Sequence, residues 1–199
     1  MGDAGRVIAG SARGVRLAAP GSATRPLGDR VKQAVFGALE PSLHDAAVLD
    51  LCAGSGGAAI EALSRGSRHA ILVEHDPGTC RVIAENLRRA AVADRARVVR
   101  ADALAYLRGA AAVDGPFDVV ILDPPYADEA LREACLLALG AADGPLDPGG
   151  VVVATAFGKR PPPAVAGLLR STRERRFGET LVVFYGRAAP EDVPPPSGA

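Results

Sequence analysis

The sequence predicts an α/β protein on an open, doubly wound, mostly parallel sheet of seven strands. Three observations carry that expectation. Short runs of β-branched and other apolar residues recur through the middle of the chain, each followed by a helical stretch; near-continuous apolar runs mark parallel strands covered on both faces. A glycine-rich turn directly follows the first of these runs. The last two runs, about 172–177 and 180–186, flank Gly178 and fit an antiparallel hairpin that closes the sheet.

Residues 6–17 read as two short strands around Gly10-Ser11, a basic hairpin outside the main sheet. A helix is expected over 28–40, with Val31, Val35, Ala38 and Leu39 on one face. Ala47–Leu51 is the first sheet strand, followed by a helix from Ala58 to Arg65. His69–Glu74 is the second, followed by a helix over 77–91 with Asp76 as its cap and Pro77 in its first turn, where a missing N–H does no harm. Ala96–Arg100, Phe117–Leu122 and Gly150–Ala154 are the third, fourth and fifth. From Ala188 the chain has four prolines, two acids and no large apolar residue but Val193, and is expected to be disordered. The expected organisation is a hairpin extension over 1–26, a main domain over 27–187 and a proline-rich tail over 188–199.

A length of 199 residues suits one domain with a small appendage. With 48% hydrophobic and 23% charged residues the chain is not a disordered one. No apolar run reaches the roughly 18 residues of a membrane span, no signal peptide is expected, and Arg6 stands where a myristoylation site wants Ser or Thr. Cys52, Cys80 and Cys135 are odd in number and far apart, which argues against a disulfide framework or a zinc cluster. A reduced, cytoplasmic protein without a metal is expected. The net charge is zero, yet residues 1–35 hold six basic side chains against two acidic, and residues 158–176 hold six against one. Such basic ends suggest a polyanionic partner, although solvated faces would look the same.

Three motifs carry chemistry. Asp50-Leu51-Cys52-Ala53-Gly54-Ser55-Gly56-Gly57 puts glycines where the backbone turns sharply and a helix N-terminus opens, a place that suits a nucleotide. Glu74 closes the second strand, where an acid can accept both ribose hydroxyls of an adenosine and disfavours a 2′-phosphate. No Gly-Lys-Ser/Thr follows, so a Walker-type site is excluded. Asp102 ends the third strand; it can accept from an adenine amine while the Ala103 N–H donates to the ring, or it can cap the next helix, and one residue can do both. Asp123-Pro124-Pro125-Tyr126 follows the fourth strand, at the carboxyl edge where open α/β sheets bind ligands. Its prolines remove two donors and fix the backbone, leaving rigid carbonyl acceptors beside a carboxylate and a ring that can stack on a flat substrate. Asp123 and the Pro124 carbonyl suit the two hydrogens of an amino group on a heterocycle, turning its lone pair toward an electrophile. A tight loop with Tyr126 packed on the following helix is the plainer alternative.

In this order, the turn, Glu74, Asp102 and Asp123-Pro124-Pro125-Tyr126 resemble class I S-adenosylmethionine-dependent methyltransferases that modify amino groups, with a Rossmann-like fold. More narrowly, residues about 6–186 resemble the RsmD family, which methylates the N2 amine of a guanine in 16S ribosomal RNA. The resemblance runs through Arg6-Val7-Ile8-Ala9-Gly10 with Arg13-Gly14, Thr24-Arg25-Pro26, Asp29-Arg30-Val31-Lys32-Gln33-Ala34-Val35-Phe36, the glycine-rich turn, and Glu61-Ala62-Leu63-Ser64-Arg65-Gly66. One departure is visible: Leu27-Gly28 replaces a usual threonine and a second small polar residue, which puts any contact of those hydroxyls in doubt.

The resemblance implies S-adenosyl-L-methionine as cofactor, held around Asp50, Cys52, Ala53, Gly54, Ser55, Gly56, Glu74, His75, Asp102, Ala103 and Asp123. It implies catalysis at Asp123, Pro124, Pro125 and Tyr126 by in-line transfer of an already activated methyl. The protein then supplies alignment, which is worth roughly 7–11 kcal/mol. The expected partner is 16S rRNA in a 30S or pre-30S particle, met by a monomer through Arg6, Arg13, Arg16, Arg25, Lys159 and Arg160 on phosphates, with the target base flipped or unpaired. Rival readings are methylation of adenine N6 in DNA or RNA, of a protein amide, or a Rossmann-type module that binds RNA or nucleotide without catalysis. A dehydrogenase would leave the Asp-Pro-Pro-Tyr run unexplained.

Overall fold

A computed structural model describes residues 2–21 and 28–188. Arg25, the run Thr24-Arg25-Pro26, Leu27 and the tail beyond Ala188 lie outside the described residues. The chain runs β1 (Gly2–Arg6), β2 (Arg16–Ala19), α1 (Asp29–Leu43), β3 (Ala47–Leu51), α2 (Gly57–Ser64), β4 (His69–Glu74), α3 (Pro77–Arg89), β5 (Ala96–Arg100), α4 (Ala103–Arg108), α5 (Ala111–Asp114), β6 (Phe117–Leu122), α6 (Glu129–Leu139), β7 (Leu146–Phe157), β8 (Val165–Ala166), β9 (Leu169–Phe177) and β10 (Thr180–Arg187). Among these, no helix is long and apolar enough to cross a membrane.

The main sheet has the order β5-β4-β3-β6-β7-β10-β9-β8. Its first five strands are parallel, and β10, β9 and β8 join antiparallel. The seven strands expected are all present; the two-residue β8 adds an eighth at the edge, too short to leave a pattern in the sequence. β7 extends well past the expected Gly150–Ala154 because Thr155, Ala156 and Phe157 pair with β10. Side chains alternate between two cores. Val48 points to a cluster with Phe36 and Leu39 of α1, Ile60 of α2 and Ile83 of α3. Leu49 points to one with Tyr106 of α4, Ala111 of α5 and Leu136 of α6. The chain moves outward through β3, β4 and β5, then crosses to β6 on the other side of β3. The reversal places a crevice at the carboxyl ends of β3 and β6.

The N-terminal hairpin pairs as its own two-stranded sheet, with Gly2 opposite Ala19 and Arg6 opposite Arg16. Its strands begin earlier and end later than the 6–17 window because Ala4, Leu17 and Ala19 also bury against the domain. Backbone bonds from Val7 N to Val15 O (3.0 Å) and Gly14 N to Val7 O (2.9 Å) fold the intervening loop. The hairpin is latched by three buried polar side chains. Glu61 of α2 accepts from Ile8 N (2.7 Å) and Ala9 N (3.1 Å). Ser64 Oγ accepts from Ala12 N (2.9 Å) and donates to Ala9 O (2.6 Å). Asn86 of α3 clasps both backbone groups of Ala18. At Gly10, φ is +83° and a Cβ would sit 1.8 Å from Ser64 O, so the approach demands glycine.

Helix α1 runs to Leu43 rather than 40, through Pro41, because Leu43 is buried and holds the last turn. Its C-terminus delivers the chain to the start of β3. Asp76 caps α3 as expected: its carboxylate accepts from Thr79 N (2.6 Å) and Thr79 Oγ1 (2.8 Å), and these bonds lower its pKa. The three cysteines are free.

Candidate active site

Registers bring the motifs to one edge. Leu51, the last residue of β3, pairs with Val73 on one side and Leu122 on the other. The turn after β3, Glu74 ending β4 and Asp123 after β6 therefore leave three adjacent strand ends, and Asp123 N lies 3.5 Å from Leu51 O. Asp102 follows β5, one strand further out.

The turn is held by backbone geometry. Cys52 and Gly54 have φ of +61° and +55°, and Gly56 has +74°. A Cβ on Gly56 would meet Leu72 Cδ2 at 3.1 Å and Ile83 Cγ2 at 3.2 Å, so this glycine serves helix-on-sheet packing as well as the left-handed turn. Cys52 has no such freedom, and strain of this kind recurs at ligand sites. Ala53 N donates to Val73 O (3.0 Å), Gly56 N to Ala53 O (2.7 Å), and Asn86 Nδ2 to Ser55 O (2.9 Å). Asn86 thus ties the hairpin and the turn together, a role that nothing in its helical sequence context announces.

Glu74 is buried and clamps this turn. Oε2 accepts from Gly54 N (3.1 Å), while Oε1 accepts from Asp76 N (3.0 Å) and faces His75 Nδ1 at 3.1 Å. A carboxylate has about four acceptor positions, so room remains for hydroxyls. Asp50 is also buried; it accepts from Ala59 N (3.1 Å), near the start of α2. Burial pushes its carboxyl well above the usual range, with Asp123 and Glu74 adding to the rise. Burial likewise pushes the Cys52 thiol up. Asp102 realises the cap: Oδ1 accepts from Ala105 N (2.9 Å), and no other hydrogen bond reaches its carboxylate among the described residues. Ala103 is buried behind it.

At the Asp-Pro-Pro-Tyr corner, Asp123 is half-buried and Pro124 buried, while Pro125 is exposed. Burial pushes the Asp123 carboxyl up to about 6, and the hydrogen bond donated by Thr155 Oγ1 to Oδ1 works against that rise. The two proline carbonyls differ. Pro125 O accepts from Asp128 N (2.8 Å) as the chain enters α6, whereas Pro124 O accepts nothing among the described residues. Tyr126 packs on strands rather than on the following helix: its hydroxyl is 2.7 Å from Thr180 Oγ1 and its ring 6.5 Å from that of Phe157, tilted by 38°. Thr155, Phe157 and Thr180 are site residues that the motifs did not reveal.

Neither Asp50 nor Asp123 forms an ion pair among the described residues, and Glu74 faces the exposed His75. The basic residues lie elsewhere. Arg6 pairs with Asp29 (3.1 Å), Arg16 with Asp3 (2.7 Å) and Arg160 with Glu129 (2.5 Å), and the three arginines are exposed. Arg13 and Lys159 are exposed. A depression of about 340 Å³ between hairpin and α1 is lined by Arg6, Arg13, Arg30 and Gln33.

The family described as conserved hypothetical protein 95 matches the chain over residues 5–186. YlbH of Bacillus subtilis, provisionally named an rRNA methyltransferase, is 38% identical over 181 residues, which span 90% of this chain and 97% of that one. Ribosomal RNA small subunit methyltransferase D of Escherichia coli is 39% identical over 129 residues, 64% of this chain and 63% of that one. Among solved structures, the provisionally named methyltransferase yhhF of Escherichia coli superposes with a TM-score of 0.82 at 31% identity, covering 94% of this chain and 99% of its own. An RNA methyltransferase from Salinibacter ruber, in complex with S-adenosyl-L-homocysteine, shares the fold, with a TM-score of 0.61 at 19% identity over 87% and 99% of the two chains.

Proposed function

Because the chain belongs to the conserved hypothetical protein 95 family, the RsmD family of methyltransferases, we propose that it methylates the exocyclic N2 amine of a guanine in 16S rRNA of the small ribosomal subunit. S-adenosyl-L-methionine is its methyl donor. The small-subunit acceptor is supported by the name of the Escherichia coli relative, and the amine by the chemistry of the corner. The observation that carries the reading is the adjacency of β3 and β6, which sets Asp123-Pro124 beside the turn at Gly54 and Gly56.

The residues present fit the donor. Glu74 and Asp102 offer acceptors for the ribose and adenine, and the open backbone at Gly54 permits close approach. When bound, the donor supplies a methyl already activated on a positive sulfur. The chain's own task is to hold the acceptor. The ionised Asp123 carboxylate and the Pro124 carbonyl accept the two amine hydrogens, which draws the nitrogen away from conjugation with the ring. Tyr126, braced by Thr180 and Phe157, offers a fixed aromatic ring to a flat base. The proton leaves after transfer, when the methylated amine is acidic, and Asp123 or water takes it.

In this reading the hairpin and the 157–163 segment meet phosphates through Arg6, Arg13, Arg16, Lys159 and Arg160, with Arg30 added from the groove at α1. The surface ion pairs of Arg6, Arg16 and Arg160 are weak enough to exchange for phosphate. The hairpin, assigned to 1–26, works as a substrate-binding extension of the domain over 27–187, and the protein acts as a cytoplasmic monomer on a 30S or pre-30S particle. Incubation with radiolabelled donor and 30S particles, naked rRNA or DNA tests the proposal. Label in N2-methylguanine of 16S rRNA supports it; label in N6-methyladenine or in none of the three refutes it.

A further inference from the structure

β7 is the last of the five parallel strands and β10 pairs antiparallel with it, and their register builds a small platform beside the acceptor corner. Phe157 pairs with Thr180, and Thr155 with Val182. Since side chains alternate along a strand, Thr155, Phe157 and Thr180 share one face. All three reach the Asp-Pro-Pro-Tyr run: Thr155 Oγ1 donates to Asp123 Oδ1, Thr180 bonds the Tyr126 hydroxyl, and Phe157 packs on the Tyr126 ring. Thr155 is 1% exposed and interrupts the otherwise apolar run Val151–Ala156. A hydroxyl is costly there unless it is bonded, and its bond goes to the one carboxylate that the acceptor chemistry requires.

We propose that Thr155 is a positioning residue of the acceptor site: by occupying Oδ1 it fixes the plane of the Asp123 carboxylate, so that Oδ2 and the Pro124 carbonyl form a matched pair of acceptors for a flat NH2 group. The inference rests on the amine-methylating reading above. The charged and titratable groups that face Asp123 are Asp50 at the end of β3, Cys52 in the turn and, through Asp50, Glu74 of β4. Among the described residues the hydrogen bond to the Asp123 carboxylate comes from Thr155 and from none of these. Without the hydroxyl the carboxylate can rotate about its own side-chain bond, and its charged form loses a donor. Both changes work against a reaction that needs an ionised, oriented acceptor.

The test uses the full chain with Thr155→Val, which keeps the volume, Thr155→Ala as a second deletion, and Thr155→Ser as the conservative rescue. The Asp123 carboxyl is titrated by carbon-13 NMR, assigned with Asp123→Asn, in the absence of any acceptor. Loss of a donor to the charged form raises the midpoint by about one pH unit in the Val and Ala variants, and Ser returns it close to wild type. In methyl transfer the acid limb of kcat moves up by the same interval. At neutral pH kcat falls about tenfold, while KM for the donor changes less than about twofold. An unmoved midpoint, a midpoint that Ser does not restore, or a shifted midpoint with unchanged kcat overturns the proposal. If the wild type methylates no nucleic-acid amine, the functional reading falls by itself, and the titration still reports whether Thr155 orients Asp123.

Discussion

Replacing Glu61 by Ala tests whether the hairpin belongs to the working structure or merely lies on it. The carboxylate is wholly buried in α2 and meets three donors: Ile8 N at 2.7 Å, Ala9 N at 3.1 Å and Arg65 Nε at 2.8 Å. Arg65 keeps a second partner, Glu40 at 2.7 Å, so the variant does not leave it as an uncompensated charge. The two hairpin N–H groups have no such reserve. Each loses a bond to a charged acceptor, worth about 1.5–3 kcal/mol, and water entering the vacated space recovers part of that. The expected loss is about 3–5 kcal/mol, a large share of the 5–15 kcal/mol typical of a domain. In a chain of this size that lowers Tm by about 10 °C. Urea denaturation measures the loss, and amide exchange locates it: Ile8 and Ala9 should lose protection before the strands of the main sheet. A loss under about 1 kcal/mol, or exchange at Ile8 and Ala9 unchanged, refutes the view that this carboxylate latches the hairpin.

Three further outcomes are expected. Asp123→Ala abolishes methyl transfer and leaves donor affinity within a few fold in calorimetry; a large loss of donor binding contradicts its role toward the acceptor. Because burial raises the Asp123 pKa to about 6, above the roughly 3.9 of an unfolded aspartate, the native state holds the proton more tightly and wild-type stability falls as pH rises between those values. Relative to wild type, Asp123→Asn should therefore gain stability from pH 4 to pH 6 and plateau above it, and a flat difference in denaturation midpoint across that window contradicts the shift. Replacing Arg6, Arg13 and Arg16 by Ala should weaken rRNA binding and reduce the slope of log affinity against log salt by about 2; an unchanged slope means that the hairpin faces away from the RNA.

The parallel core was legible because its signals are local. The runs at Ala96–Arg100 and Phe117–Leu122 match their strands residue for residue, each with β-branched residues at its centre and of strand length between turn signals. Asp76 and Asp102 were legible as caps for the same reason, since a cap and the N–H it serves lie three residues apart. What stayed hidden is long-range. Thr155 and Thr180 look like ordinary strand residues, and their meaning comes from contacts 32 and 54 residues away in the chain. Glu61 and Asn86 sit in helical patterns as if they were surface polar residues, yet they are buried because the hairpin lies over them, 53 and 68 residues earlier.

The same distinction explains how the corner works. The motif Asp123-Pro124-Pro125-Tyr126 supplies groups of the right kind, and its prolines restrict the backbone. It does not by itself decide which carbonyl is offered: α6 takes Pro125 O through Asp128 N and leaves Pro124 O. Nor does it decide which carboxylate oxygen is offered, because β7 takes Oδ1 through Thr155. Each neighbouring element engages one acceptor, and the two left without a partner among the described residues, Asp123 Oδ2 and Pro124 O, match the two hydrogens of an amine. A residue inserted or deleted in β7 ahead of Thr155 would shift it off that register and return Asp123 to two equivalent oxygens, so the far end of β7, where it pairs with β10, belongs to the candidate site and not only to the edge of the sheet.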